Sequence, residues 1–275
     1  MKSLLLSDLD GTLLRSDRTI SNYTAETINR FVKDGGCFSY ATSRSISTVI
    51  KMTAKINITI PVICCNGAFI IENINNKILL SNFFIKKEVD YVQKSLSEHN
   101  IYPIVNAYID GSERFTYAAP YVTLEMQPFL DIRREDPRRR VVEVVEKLYM
   151  GDVFRFTCIG KKRVLSPVES IFSTDNRFAC IYQKEIYSGE QSCEILPAKA
   201  TKANAALQLK SMLGCDEIVA FGDESNDISM FSVADKKYAV SNAVQELKEI
   251  ATEVIESNDH DGVARWINKN YYSEN

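Results

Sequence analysis

Short apolar runs that each stop at a polar cluster constrain this chain more than any other feature. Residues 4–6 run into Asp8-Leu9-Asp10-Gly11-Thr12, residues 37–41 into Thr42-Ser43-Arg44, and residues 61–65 into Asn66-Gly67-Ala68. Near the other end, residues 217–221 run into Gly222-Asp223-Glu224-Ser225-Asn226-Asp227. Helical spacing fills the gaps: Ser21 is placed to cap a helix carrying Ala25, Ile28 and Val32, Gly35-Gly36 stops it, and a further helix is expected over 201–213. A last run at 238–240 and a segment at 261–267 complete the pattern. Alternating runs and helices predict an α/β fold with an open parallel sheet. The carboxyl ends of such strands form the crevice where ligands bind, so the polar clusters fall on a candidate site.

Between the two ends the texture changes to strands and helices of mixed length, with scattered prolines and the basic run Arg133, Arg134, Arg138, Arg139, Arg140. The expected organisation is a core of residues 1–83 and 190–275 with an inserted domain, 84–189. Glu135, Asp136 and Pro137 interrupt the arginines, so that run reads as a solvated face. Phe115, Tyr117 and Tyr121 read as packing aromatics and stay outside the site.

Composition excludes partners. With 275 residues and a formal charge of −3, there is no general electrostatic attraction to nucleic acid or to an anionic membrane. Met1-Lys2 passes at once to residues 4–6 and Asp8, too short and too soon acidic for a signal peptide or membrane span, so a cytoplasmic monomer or small homo-oligomer is expected. Seven cysteines without metal-type or disulfide-type spacing read as reduced and mostly buried, and His99 and His260 are too scattered for zinc.

The chemistry lies in the strand-end residues. Asp8 and Asp10 stand two apart beside an apolar strand, and bringing both to the crevice would raise a pKa unless a cation shares the site. Asp223 and Asp227 add oxygen ligands or their supports from a second strand end; so few protein ligands suit Mg²⁺, which keeps waters and takes the rest from phosphate. Lys202 falls in the first turn of its helix, where a cation opposes the macrodipole unless an anion sits between them. Thr201 as N-cap, the free helix N–H groups, Lys202, Thr42 and Ser43 together make a phosphate-sized site.

Asp8-Leu9-Asp10-Gly11-Thr12, Thr42, Lys202 and Gly222-Asp223-Glu224-Ser225-Asn226-Asp227 resemble the four ordered motifs of the haloacid dehalogenase superfamily. Asn66-Gly67-Ala68, Ser241-Asn242-Ala243, Asp261-Gly262-Val263-Ala264 and the insertion between the second and third motifs resemble the Cof-like phosphatases with a type IIB cap. The resemblance implies a Rossmann-like parallel-sheet core with an inserted, mobile α/β cap, with Asp8 as nucleophile and Asp10 as general acid/base that also offers a backbone carbonyl to Mg²⁺. It makes Asp223 the other metal ligand. Leu9 through its N–H, Thr42, Ser43, Lys202 and Asn226 would hold the phosphoryl group, and Asp227 would orient Lys202 or a metal-bound water. Ser43 and Ala203 stand where the family commonly has glycine, which bears on substrate identity rather than reaction type.

The expected function is therefore a Mg²⁺-dependent phosphatase of small phosphorylated metabolites, sugar phosphates first, with cofactor phosphates and small phospho-acids open. Dehalogenation has no use for Asp10. A phosphomutase would share all four motifs, and a non-catalytic metabolite-binding regulator would be expected to have lost Asp8, Asp10, Lys202 or Asp223, none of which is lost.

Overall fold

Leu4, Leu5 and Leu6 are fully buried, which only a strand covered on both faces allows. The structure, a computed structural model, describes residues 2–184 and 189–272. The chain divides into two compact units, Met1–Ser81 with Ala200–Asn275, and Asn82–Lys199.

In the first unit, Ser3–Ser7 lies inside a parallel sheet whose order is Glu253–Ile255, Lys236–Val240, Glu217–Gly222, Ser3–Ser7, Cys37–Tyr40. Leu5 sits opposite Val219 on one side and Phe38 on the other. The chain thus leaves Ser3–Ser7 toward one neighbour and returns much later on the opposite side, a topological switch point whose crevice opens at the carboxyl ends. A bridge from Ala41 to Ile63 joins this sheet to an antiparallel one, Val62–Cys64, Phe69–Ile71 and Ile78–Ser81.

Local chemistry sets the helices. Ser21 accepts the Thr24 N–H at the start of Asn22–Lys33 and Thr201 accepts the Asn204 N–H at the start of Lys202–Leu213. The first of these buries Thr24, Ala25, Thr27, Ile28 and Phe31. Val32, expected on that face, is only half-buried, because the wider stripe centred on Ile28 takes Phe31 instead.

The second unit is a sheet of order Phe178–Lys184, Gln191–Pro197, Asp152–Gly160, Ile104–Ile109, Ser112–Ala118, Arg139–Val142, antiparallel except for its last pair. Helices Lys86–Glu98 and Lys162–Ser173 cover one face, burying Val92, Leu96, Val168 and Phe172 against Phe156 and Ile195. Gln191–Pro197, expected with the core segment from 190, belongs to this sheet, antiparallel to both neighbours. Its apolar residues pair as well in either sheet, and only the partner strands decide.

Phe115 and Tyr117 pack with Met126 and Leu130, and Tyr121 stacks on Tyr102 at 3.7 Å. The arginine run is not uniformly solvated. Arg138 is largely buried between Asp136 at 2.6 Å and Glu113 at 3.0 Å, whereas Arg134 is exposed beside Asp131. Among the described residues the cysteines are free thiols, and no helix is long and apolar enough to cross a membrane.

Leu5→Ala leaves a cavity in a strand paired on both sides, and should destabilise the protein by about 2–5 kcal/mol. The midpoint of urea denaturation measures it. A loss below about 1 kcal/mol would contradict this placement of the core.

Candidate active site

Asp8 is the first residue beyond Ser3–Ser7, and its N–H donates to the Phe221 carbonyl at 2.9 Å, so the sheet ladder continues into the site. The ammonium of Lys202, 1% exposed, donates to Asp8 Oδ1 at 2.5 Å and Asp227 Oδ1 at 2.7 Å. Asp227 is fully buried and its other oxygen accepts the N–H groups of Asp223 and Glu224 at 3.0 and 3.2 Å. Asp223 accepts the hydroxyl of the buried Thr12 at 2.6 Å.

Three carboxylates, Asp8, Asp223 and Asp227, offer oxygens within 4.8 Å of one another, and the Lys202 ammonium pairs with the first and the last of them. Burial works against the Lys202 charge, yet Asp227 and Asp8 outweigh it and hold the lysine protonated above its ordinary value. The excess negative charge shows on the acids. Burial pushes Asp223 up to about 7, with Asp227 adding to it. Burial also raises Asp8 well above the carboxylate range; Lys202 pulls it back, but that cation is shared with Asp227. A buried oxygen cluster short of positive charge fits a hard divalent cation such as Mg²⁺.

Asp10 stands apart from this cluster. Its two oxygens accept from Arg44 Nε and Nη2, both at 2.6 Å, and its side chain is 35% exposed. Thr42 is fully buried; its oxygen accepts the Arg44 N–H at 3.1 Å, its own N–H donates to Ile63 and its carbonyl accepts from Asn66. Ser43 follows in the same turn, half-buried. The Leu9 carbonyl gathers the N–H groups of Thr12, Leu13 and Leu14. Asn226, half-buried in the turn Ser225–Asp227, donates to Asn66 Oδ1 at 3.4 Å. Asp8, Asp223, Asp227 and Lys202 are thus in one cluster, Asp10 and Thr42 meet through Arg44, and Asn226 meets Asn66.

Sequence reading left out several members of this arrangement. Gly11, at φ +80°, is one: a Cβ there would lie 2.1 Å from Asp223 Oδ2. Asn242 donates to the Gly11 carbonyl at 2.8 Å and accepts the Asn258 N–H at 3.1 Å, Asn258 donates to the Leu14 carbonyl, and Asp261 holds Arg15 at 2.7 Å. These distant motifs brace the loop that carries Asp8 and Asp10. Gly11, Asn242 and Asp261 stand in the motifs quoted above, which is the signal that marks them; Asn258 stands in none, and no spacing rule reveals the contacts.

A family model for haloacid dehalogenase-like hydrolases matches residues 5–267. The 5-amino-6-(5-phospho-D-ribitylamino)uracil phosphatase YwtE of Bacillus subtilis is 30% identical over 289 residues, covering 95% of this chain and 96% of its own. The phosphatase YitU of the same organism, named for the same compound, is 26% identical over 275 residues, covering 98% and 97%. Among solved structures, a haloacid dehalogenase-like hydrolase from B. subtilis aligns with a TM-score of 0.79 at 23% identity, covering 98% of this chain and 100% of that one. One from Bacteroides thetaiotaomicron aligns at 0.78 and 23%, covering 98% and 99%. These two speak for the fold. The family match and the full-length relative go further: this chain belongs to the haloacid dehalogenase-like hydrolases.

Proposed function

We propose that this protein is a Mg²⁺-dependent phosphatase of small phosphorylated metabolites, sugar phosphates foremost, working through a phospho-aspartate on Asp8. The observation that carries this reading is the buried cluster of Asp8, Asp223 and Asp227, in which the Lys202 ammonium pairs with Asp8 and Asp227 only. A cation held by Asp8, Asp223 and the Asp10 backbone carbonyl would supply the missing positive charge and offset the repulsion between Asp8 and a phosphate dianion.

The chain's own residues divide the remaining work. The Asp8 carboxylate attacks phosphorus in line as the bond to the leaving oxygen breaks, and Asp10 gives that oxygen a proton. Water then attacks the same phosphorus, the bond to Asp8 breaks, Asp10 takes the proton and inorganic phosphate leaves. Lys202, Thr42, Ser43, Asn226 and the Leu9 N–H hold the phosphoryl oxygens, and Asp227 fixes Lys202 for that task. Asp10 is suited to proton transfer because it stands outside the buried cluster and is partly exposed.

The substrate class draws on the relatives. Both B. subtilis proteins are named for a compound whose phosphate sits on a ribityl chain, an alkyl phosphate of the sugar type. Phosphate release from a panel of hexose and pentose phosphates, that compound included, tests the class; activity confined to cofactor phosphates or phospho-acids would overturn it.

Thorough chelation should abolish turnover and added Mg²⁺ should restore it, measured as phosphate release. Undiminished activity in excess chelator would refute the metal requirement. Asp8→Asn keeps the shape and removes the nucleophile, so turnover should fall to background and no protein label should form after rapid quench with ³²P-labelled substrate. In the unmodified enzyme, peptide mapping should place the label on Asp8, and label elsewhere would refute the mechanism.

A further inference from the structure

Arg44 ends the strand-end cluster Thr42-Ser43-Arg44 but has no place among the four motifs, yet it grips Asp10 by a fork onto both carboxylate oxygens at 2.6 Å each. We infer that Arg44 is a positioning residue for the second half of the reaction, holding the Asp10 carboxylate in place to take the proton from the water that attacks phospho-Asp8. The inference rests on the base role given to Asp10 above.

Three observations support it. Asp10 lies on a loop with a partly exposed side chain, so packing does not fix its carboxylate; a planar guanidinium, matched to both oxygens, does. The fork fits the ionised acid, the form a base needs. Arg44 is itself firmly set, 15% exposed, with its N–H on the Thr42 hydroxyl and its carbonyl accepting the Cys65 N–H at 2.9 Å. That last bond comes from a strained segment: Cys65 and Asn66, both buried, hold φ of +52° and +55°. Left-handed backbone at buried residues other than glycine persists only where the surroundings over-determine it. Here the segment is pinned by Thr42 and Arg44 on one side and by the close approach of Gly67 to the Thr201 carbonyl on the other. Two strand ends are thus locked together behind Arg44.

The step assigned to Asp10 is balanced. Water oxygen bonds to phosphorus, the phosphorus–oxygen bond to Asp8 breaks, one water proton passes to an Asp10 oxygen, and Asp8 is returned as a carboxylate with release of inorganic phosphate. Arg44 stays protonated throughout and takes no part in the bond changes.

The test uses p-nitrophenyl phosphate with Mg²⁺ present, because its leaving group needs little acid and the first half-reaction is then insensitive to Asp10. Asp10→Asn should slow steady-state turnover by about 10² to 10⁴-fold while leaving a rapid burst of p-nitrophenolate. Arg44→Gln should slow steady-state turnover about 10 to 100-fold with the burst rate constant unchanged, and Arg44→Lys, a single point charge, should lie between it and the unmodified enzyme. The double variant should turn over no more slowly than Asp10→Asn alone. If Asp10→Asn shows no burst, the base role of Asp10 fails and this inference with it. If Asp10→Asn bursts but Arg44→Gln slows both phases alike, or the two losses multiply in the double variant, Arg44 is structural and the inference alone is overturned. Thermal melts identify any variant that fails to fold; should Arg44→Gln do so, the same comparison on Arg44→Lys decides.

Discussion

One ammonium, buried between two carboxylates, ties the core unit together. Lys202 belongs to the helix Lys202–Leu213, Asp8 to the end of Ser3–Ser7, and Asp227 to the turn after Glu217–Gly222. Such a group is costly to bury and is tolerated only with its partners in place, so removing either acid would strand a charge. The same arrangement leaves the site electrically incomplete. An acid cluster that its own lysine does not neutralise is poorly suited to stability and well suited to taking up a cation and a phosphate together.

Loops are the natural place for binding groups and a poor place for precision. This core answers the difficulty with side chains that cross between strand ends. Asn242 and Asn258 hold the loop after Ser3–Ser7 from behind, Thr12 meets Asp223, and Arg44 reaches Asp10. Each bond joins residues far apart in sequence, so the crevice is stiffened by contacts that no single loop could supply.

This explains what a reader of the sequence can and cannot see. Parallel strands buried on both faces are solid apolar runs, so residues 4–6 and 217–221 declare themselves and their ends point to Asp8 and Asp223. The cap at Thr201 marks the start of the helix that carries Lys202. Membership of a sheet is a different matter: Gln191–Pro197 has the texture of a core strand, and only its antiparallel partners Phe178–Lys184 and Asp152–Gly160 show where it belongs. Side chains that reach across loops leave no periodic trace, which is why Arg44 read only as the last residue of a polar cluster and Arg138 as a solvated cation.

The strand order of the core also dictates when it can form. Ser3–Ser7 leaves the ribosome well before its partner Glu217–Gly222, which follows more than two hundred residues later, bonds such as Ser3 to Glu217 spanning 214 positions. Closing so long a loop is entropically costly, and it cannot begin until Glu217–Gly222 has been made. Asn82–Lys199, by contrast, draws every strand of its sheet from one uninterrupted stretch. Synthesis therefore delivers a complete second unit while the apolar first strand still lacks one neighbour. Asp8 meets Lys202 and Asp227 only after the second unit has been made, so the acid cluster assembles later than the unit that separates its members in sequence.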